Sequence, residues 1–212
     1  MSRPGTPIEL LAPRAMRSGA VRAPADAVDA RIAAAALELL RTRGVAGTTM
    51  ADVSRAAGIG RATLFRRFGS KDELFEHVIA AELQRFLGAL AARFAEVTDP
   101  TERICETFAA SLRLGAGVLL RAASIEQRAA LVATLAEGSP SSLDLARAFV
   151  AAHIRAGQRA GHVSAGDPDT LADGMIRVVL GYLLVPGPTL DPDDERSVRR
   201  IAVDVIAPMV LV

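Results

Sequence analysis

The chain has 212 residues, half of them hydrophobic, yet only seven Phe, one Tyr and no Trp; that is length enough for one large or two small buried cores and poor material for an aromatic-rich sandwich or barrel. Its single cysteine, Cys105, excludes an intramolecular disulfide and a cysteine zinc cluster, and the longest apolar run toward the C-terminus, Val178 to Val185, is too short to cross a bilayer. The net charge of +1 joins two unlike parts: residues 1–71 hold twelve Lys and Arg against five Asp and Glu, and residues 72–212 hold thirteen against nineteen. A basic segment on an acidic body is a common footprint of a nucleic-acid-binding end, with uneven surface charge as the plain alternative. Of the 25 basic residues all are arginine except Lys71.

In chain order, residues 1–25 contain several Pro and Gly, four arginines (Arg3, Arg14, Arg17, Arg22) and no helical period. They read as a disordered tail whose arginines are within reach of a DNA groove. The absence of a sustained apolar core there argues against a secretory signal and for a cytoplasmic protein. From Asp26 the pattern becomes helical: Val28, Ile32, Ala35, Leu39 and Leu40 recur at helical spacing, Asp26 and Asp29 sit at the positive end of the dipole, and Gly44 suits the C-terminus. Thr49 is an N-cap for a short second helix that ends at Gly58. A third begins at Gly60 and carries Leu64 and Phe68. Ser70 and Glu73 form an S-x-x-E capping box opening a long fourth helix through Leu74, Val78, Leu83, Phe86, Leu90 and Phe94, closed by Asp99-Pro100. Five more helices are predicted near 101–121, 124–137, 141–161, 167–185 and 193–211, punctuated by Gly138-Ser139-Pro140, Gly166-Asp167-Pro168 and Pro186-Gly187-Pro188. The expectation is an all-α chain of nine helices: a tail (1–25), a three-helix helix-turn-helix domain (26–72) and a helical body (73–212), the boundary falling in helix four.

Two short helices joined by a tight glycine turn are the framework of a helix-turn-helix. Val53, Ala57, Ile59 and Leu64 supply the small cluster that holds such a pair, leaving an outward face for DNA. Arg61, at the start of helix three, is placed to read guanine O6 and N7. Thr63 suits a thymine methyl or a phosphate, and Arg66 and Arg67 suit phosphates. Thr49 and Lys71 lie at helix starts, where backbone amides also favour phosphate oxygens.

The segment from Thr49 to Leu74 resembles the signature of the TetR (tetracycline repressor) family, T-x-x-x-I-A-x-x-A-G-V-S-x-x-T-L-Y-x-H-F-x-S-K-x-x-L. Thr49, Ala57, Gly58, Thr63, Leu64, Phe68, Ser70, Lys71 and Leu74 match in register, and Val53 and Ile59 are conservative variants. Four departures bear on DNA contact: Phe65 replaces the usual Tyr and lacks its hydroxyl, Arg67 replaces the usual His, Gly60 replaces a Ser or Thr cap, and Ala51 stands where a base-reading residue sometimes sits. The resemblance implies a transcription regulator, a repressor by expectation, contacting a double-stranded DNA operator through Thr49, Gly60, Arg61, Ala62, Thr63, Phe65, Arg66, Arg67 and Lys71. It also implies a C-terminal body that binds a small-molecule effector and pairs the last two helices with those of a second copy.

The body's stripes are compatible with that. Leu171, Gly174, Val178, Gly181 and Tyr182 on helix eight and Val198, Ile201 and Val205 on helix nine are expected at a homodimer interface; ordinary core is the alternative. Phe86, Phe108, Leu112 and Met175 are expected to line an effector pocket, and the scarcity of polar groups in those stripes favours an apolar effector. No metal or cofactor is expected, because His153 and His162 do not share a helical face, and Cys105 reads as inert packing. The sequence lacks a nucleophile elbow, P-loop, H-E-x-x-H or Rossmann fingerprint, so an enzyme is not expected. A helical adaptor, or an enzyme that does not bind DNA, is the competing reading.

Overall fold

The computed structural model describes residues 26–118, 124–137, 139–185 and 187–211; the expected tail with its four arginines lies outside them. Among the described residues there are nine α-helices and no strand, only one isolated bridge between Val163 and Leu211. The helices are α1 (Ala27–Arg43), α2 (Met50–Ala56), α3 (Arg61–Arg67), α4 (Lys71–Glu96), α5 (Pro100–Val118), α6 (Ile125–Leu135), α7 (Ser142–Arg159), α8 (Pro168–Leu184) and α9 (Glu195–Ile201).

Local chemistry sets most helix starts. Asp26 caps α1 by accepting the Val28 and Asp29 amides at 2.8 and 3.0 Å, and Ile32, Ala36 and Leu40 place one face of α1 in the core. Thr49 and Asp52 form a reciprocal capping box on α2. Ser70 caps α4 by accepting the Glu73 amide at 3.1 Å, but Glu73 does not close the predicted box: its carboxylate accepts from the Gly69 amide at 2.9 Å. Gly69 leaves room for that reach, since a Cβ there would meet Glu73 Oε2 at 3.0 Å. Ser141 with Asp144, and Asp167 with Thr170, start α7 and α8 in the same manner.

Helix α9 departs from expectation. It is α-helical only to Ile201, then widens into a π turn over Ala202–Ile206 and tightens into a 3-10 turn over Ala207–Met209. Pro208 explains the change, because its ring would strike the carbonyl four residues back in a continuous α-helix and it has no amide to donate.

One core runs through the molecule. Ile32 and Leu40 of α1, Val53 of α2, Leu64 of α3 and Leu74 and Phe75 of α4 are continuous with Phe108 and Leu112 of α5, Leu183 of α8 and Val198, Ile201 and Ile206 at the C-terminal end. The α1–α3 cluster is therefore packed directly onto the body through α1 and α4, not merely tethered to it. At about 39 Å for 26 residues, α4 is the longest rigid link between them.

Candidate nucleic-acid interface

Helices α2 and α3 meet through Val53 and Leu64, both wholly buried, with Ala57 behind them. The turn is closed by Gly58 at φ +62°, open to the left-handed region because it lacks a Cβ. A polar clasp missed by the sequence reading completes it: the buried Ser54 donates its hydroxyl to the Ile59 carbonyl at 2.7 Å, while the Ile59 amide returns to Ser54 O at 3.1 Å. The only sequence signal was a serine at a position the helical period assigns to the core.

With Leu64 turned inward, Arg61, Ala62, Phe65 and Arg66 are exposed on one side of α3, and Thr63 and Lys71 are half-buried beside them. Phe65 is 46% exposed, high for so large an apolar ring. Arg61, Arg66 and Lys71 have no ion-pair partner among the described residues, so their cations face solvent uncompensated. Two expected contacts are otherwise engaged. Thr49 remains exposed, but its amide and hydroxyl both donate to Asp52 Oδ2, at 3.0 and 2.6 Å, and those bonds, the hydroxyl's foremost, hold the Asp52 carboxyl below its ordinary range. Arg67, expected on a phosphate, lies on Asp26 and Asp29 instead. Phe68 is half-buried against the common core, its ring 5.5 Å from that of His77.

In the body, a cavity of about 200 Å³ lies among α4, α5, α7 and α8, with Leu37 and Leu40 of α1 in its wall. Phe86 and Met175 line it. Phe108 and Leu112 do not: they are sealed at 2% and 1% exposure on the core side of α5, whose Thr107, Ser111 and Leu114 face the cavity instead. Among the described residues its one charged wall group is Glu82, whose carboxylate already accepts from Arg41 at 3.0 Å and from Arg85. A larger cleft of about 690 Å³ opens between α4, α5 and α9, bridged by the Arg93–Glu106 and Arg199–Glu102 pairs. Cys105 is buried and burial pushes its thiol pKa up, which suits packing and not redox chemistry. His153 packs edge-on against Phe94 and tilted against Phe149, and burial lowers its pKa. Among the described residues no three His, Cys, Asp or Glu side chains gather as a metal site.

The expected interface residues divide. Val198 and Ile201 are buried in the chain's own core, so they cannot face a second copy; their stripe is completed by α5. Leu171, Gly174, Val178 and Tyr182 are half-buried, Tyr182 against Phe108 at a ring separation of 5.9 Å. Gly181 and Val205 are exposed, as are Val185 and Val203, which the sequence reading did not single out.

Residues 32–78 match the family model for bacterial regulatory proteins of the tetR family. The chain is 28% identical over 183 residues to an uncharacterized HTH-type transcriptional regulator of Mycobacterium tuberculosis, covering 84% of this chain and 85% of that protein. Its fold is similar to a TetR transcription regulator from Haloarcula marismortui (TM-score 0.64, 18% identity, 85% of this chain and 97% of that one). It is likewise similar to a transcriptional regulator from Saccharomonospora viridis solved in complex with choline (TM-score 0.65, 20% identity, 86% and 97%). The matched stretch is the same α1–α4 segment that turns unpaired cations outward from a sealed helix pair, so over it the chain is similar to tetR-family DNA-binding regulators, and along most of its length it shares their fold.

Proposed function

We propose that this regulator is a cytoplasmic repressor that binds a palindromic operator as a homodimer and is released from it by a small apolar effector. The observation that carries the DNA side of this reading is the outward Arg61 and Arg66 on a helix whose inner side is fixed by the fully buried Leu64. Arg61 at the start of α3 reads a guanine edge; Arg66 and Lys71 neutralise phosphates; Thr63 meets a thymine methyl or phosphate. Gly60, Ala62 and Thr49 permit close backbone approach, and Phe65 lies against sugar. Dimerisation uses α8, where Gly181 allows a partner helix to come near beside Val178, together with the exposed Val185, Val203 and Val205. A two-fold dimer matches half-sites spaced by ~10 bp or a multiple.

The almost wholly apolar wall of the α4–α8 cavity supports an apolar ligand. The S. viridis protein was solved with a quaternary ammonium compound, but Glu82 here is already satisfied by Arg41 and Arg85, which favours a neutral one. Because Leu37 and Leu40 of α1 share that wall with α4, a ligand bound there favours a different seating of α1 on α4 and shifts the population away from the DNA-competent arrangement. Selection from a pool of random duplexes tests the reading. The expected product is an inverted repeat whose binding weakens steeply with salt, by roughly 0.9 in log K per log salt for each phosphate neutralised. No enrichment at low ionic strength overturns it.

A further inference from the structure

Helix α3 has seven residues and no side-chain cap at Gly60, too short to be stable alone. Its direction is set by what grips it. Leu64 holds the middle, and α1 holds both ends with polar ties. At the start, Arg31 Nη2 donates to the Gly58 carbonyl at 3.3 Å. At the finish, the Arg67 guanidinium forks onto Asp26 (Nη1 to Oδ1 at 3.0 Å, Nη2 to Oδ2 at 2.8 Å) and reaches Asp29 Oδ1 at 2.5 Å. Asp29 is buried, and Asp26 is fixed as the N-cap of α1. One guanidinium held by two carboxylates leaves the triad with a net charge of −1, unlike the uncompensated Arg61 and Arg66.

We propose that Arg67 is a positioning residue: the Arg67–Asp26–Asp29 latch fixes the angle at which α3 meets the groove, and so sets discrimination between operator and other DNA without adding a neutralised phosphate. Base-edge hydrogen bonds need their donors held within fractions of an ångström, whereas phosphate contacts position without reading sequence. A loosened latch therefore costs discrimination first. The inference rests on α3 being the groove-reading helix.

The test uses the full-length protein, the selected operator and a random duplex of equal length, across a salt series. Three variants are compared: Arg67→Gln, Arg67→Lys, which keeps the charge but not the fork, and Asp26→Asn with Asp29→Asn, in which Asn still caps α1. Arg67→Gln and Arg67→Lys are expected to lower the operator-to-random ratio by roughly ten-fold, about one base pair's worth of readout, with the salt slope unchanged. The Asp26/Asp29 variant frees the guanidinium, so its ratio falls while its slope steepens by up to about 0.9. A slope shallower by about 0.9 in Arg67→Gln but not in Arg67→Lys overturns the latch and makes Arg67 a phosphate contact. Unchanged ratios in all three, from a wild type that discriminates, overturn the latch alone; a wild type that does not discriminate overturns the groove reading and the latch with it.

Discussion

The helix-turn-helix end and the helical body share one continuous core but fix their geometry by different means. Between residues 26 and 71 the helices α2 and α3 are seven residues long, and shape is imposed residue by residue: Asp26, Thr49 with Asp52, the Ser54–Ile59 clasp, Gly58, and the polar ties from α1. In the body most helices are longer, α9 excepted, and what matters is which face meets which, as where Gly115 of α5 lets Leu183 of α8 come within 2.3 Å of the place a Cβ would occupy. Local devices fix the small helix pair that is proposed to read DNA. Face-to-face packing of long helices leaves an apolar volume bordered by α1 and α4, the place proposed above for the effector.

If the reader is held so tightly by so few groups, single changes there should cost more than changes to the cavity wall. The largest effect is expected for Leu64→Ala, a loss of about 2–5 kcal/mol in denaturant unfolding, as for other emptied core sites; a loss below about 1 kcal/mol would mean that the helix pair is held elsewhere. Arg61→Ala should weaken operator binding by roughly ten- to a hundred-fold while sparing random DNA, in a mobility-shift titration, and equal weakening of both would make Arg61 a phosphate contact. Ser111→Phe, which fills the cavity, should reduce uptake of a neutral apolar dye by about ten-fold yet leave operator affinity within about two-fold. Gly58→Ala meets no neighbouring atom, so its cost is purely conformational, about 1 kcal/mol, read as a lowered Tm.

The smallest effect concerns acid. The hydrogen bond from Arg67, then that from the Asp29 amide, holds the Asp26 carboxyl at about 2 against an ordinary 3.8. The unfolded chain therefore binds the proton first, so this group's stabilisation is complete above pH ~4 and is lost as pH falls toward ~2. Asp26→Asn should flatten that limb of the stability curve, and an unchanged limb would show that Asp26 is not held as described.

How far the sequence disclosed this depended on how far apart the partners lie. The starts of α1, α2 and α4 were legible because Asp26, Thr49 and Ser70 cap amides two or three residues away. The Arg67 latch was not, since its carboxylates are 41 and 38 residues distant and only the tertiary fold brings them together. Stripe reasoning marked Phe108, Leu112, Val198 and Ile201 as apolar contacts, but a stripe does not say whether it meets a cavity, a partner or the chain's own core. All four meet the core. Pro208 was the available sign that helix nine could not run unbroken to 211.

The central claim is that α3 reads a major groove, and guanine N7 lies only there. Dimethyl sulfate protection of the selected operator tests it most directly: the account predicts two symmetric patches of guanine N7 protection with centres ~10 bp or a multiple apart, each weakened at one guanine by Arg61→Ala. Bound operator with no N7 protected, or protection indifferent to Arg61, would contradict it.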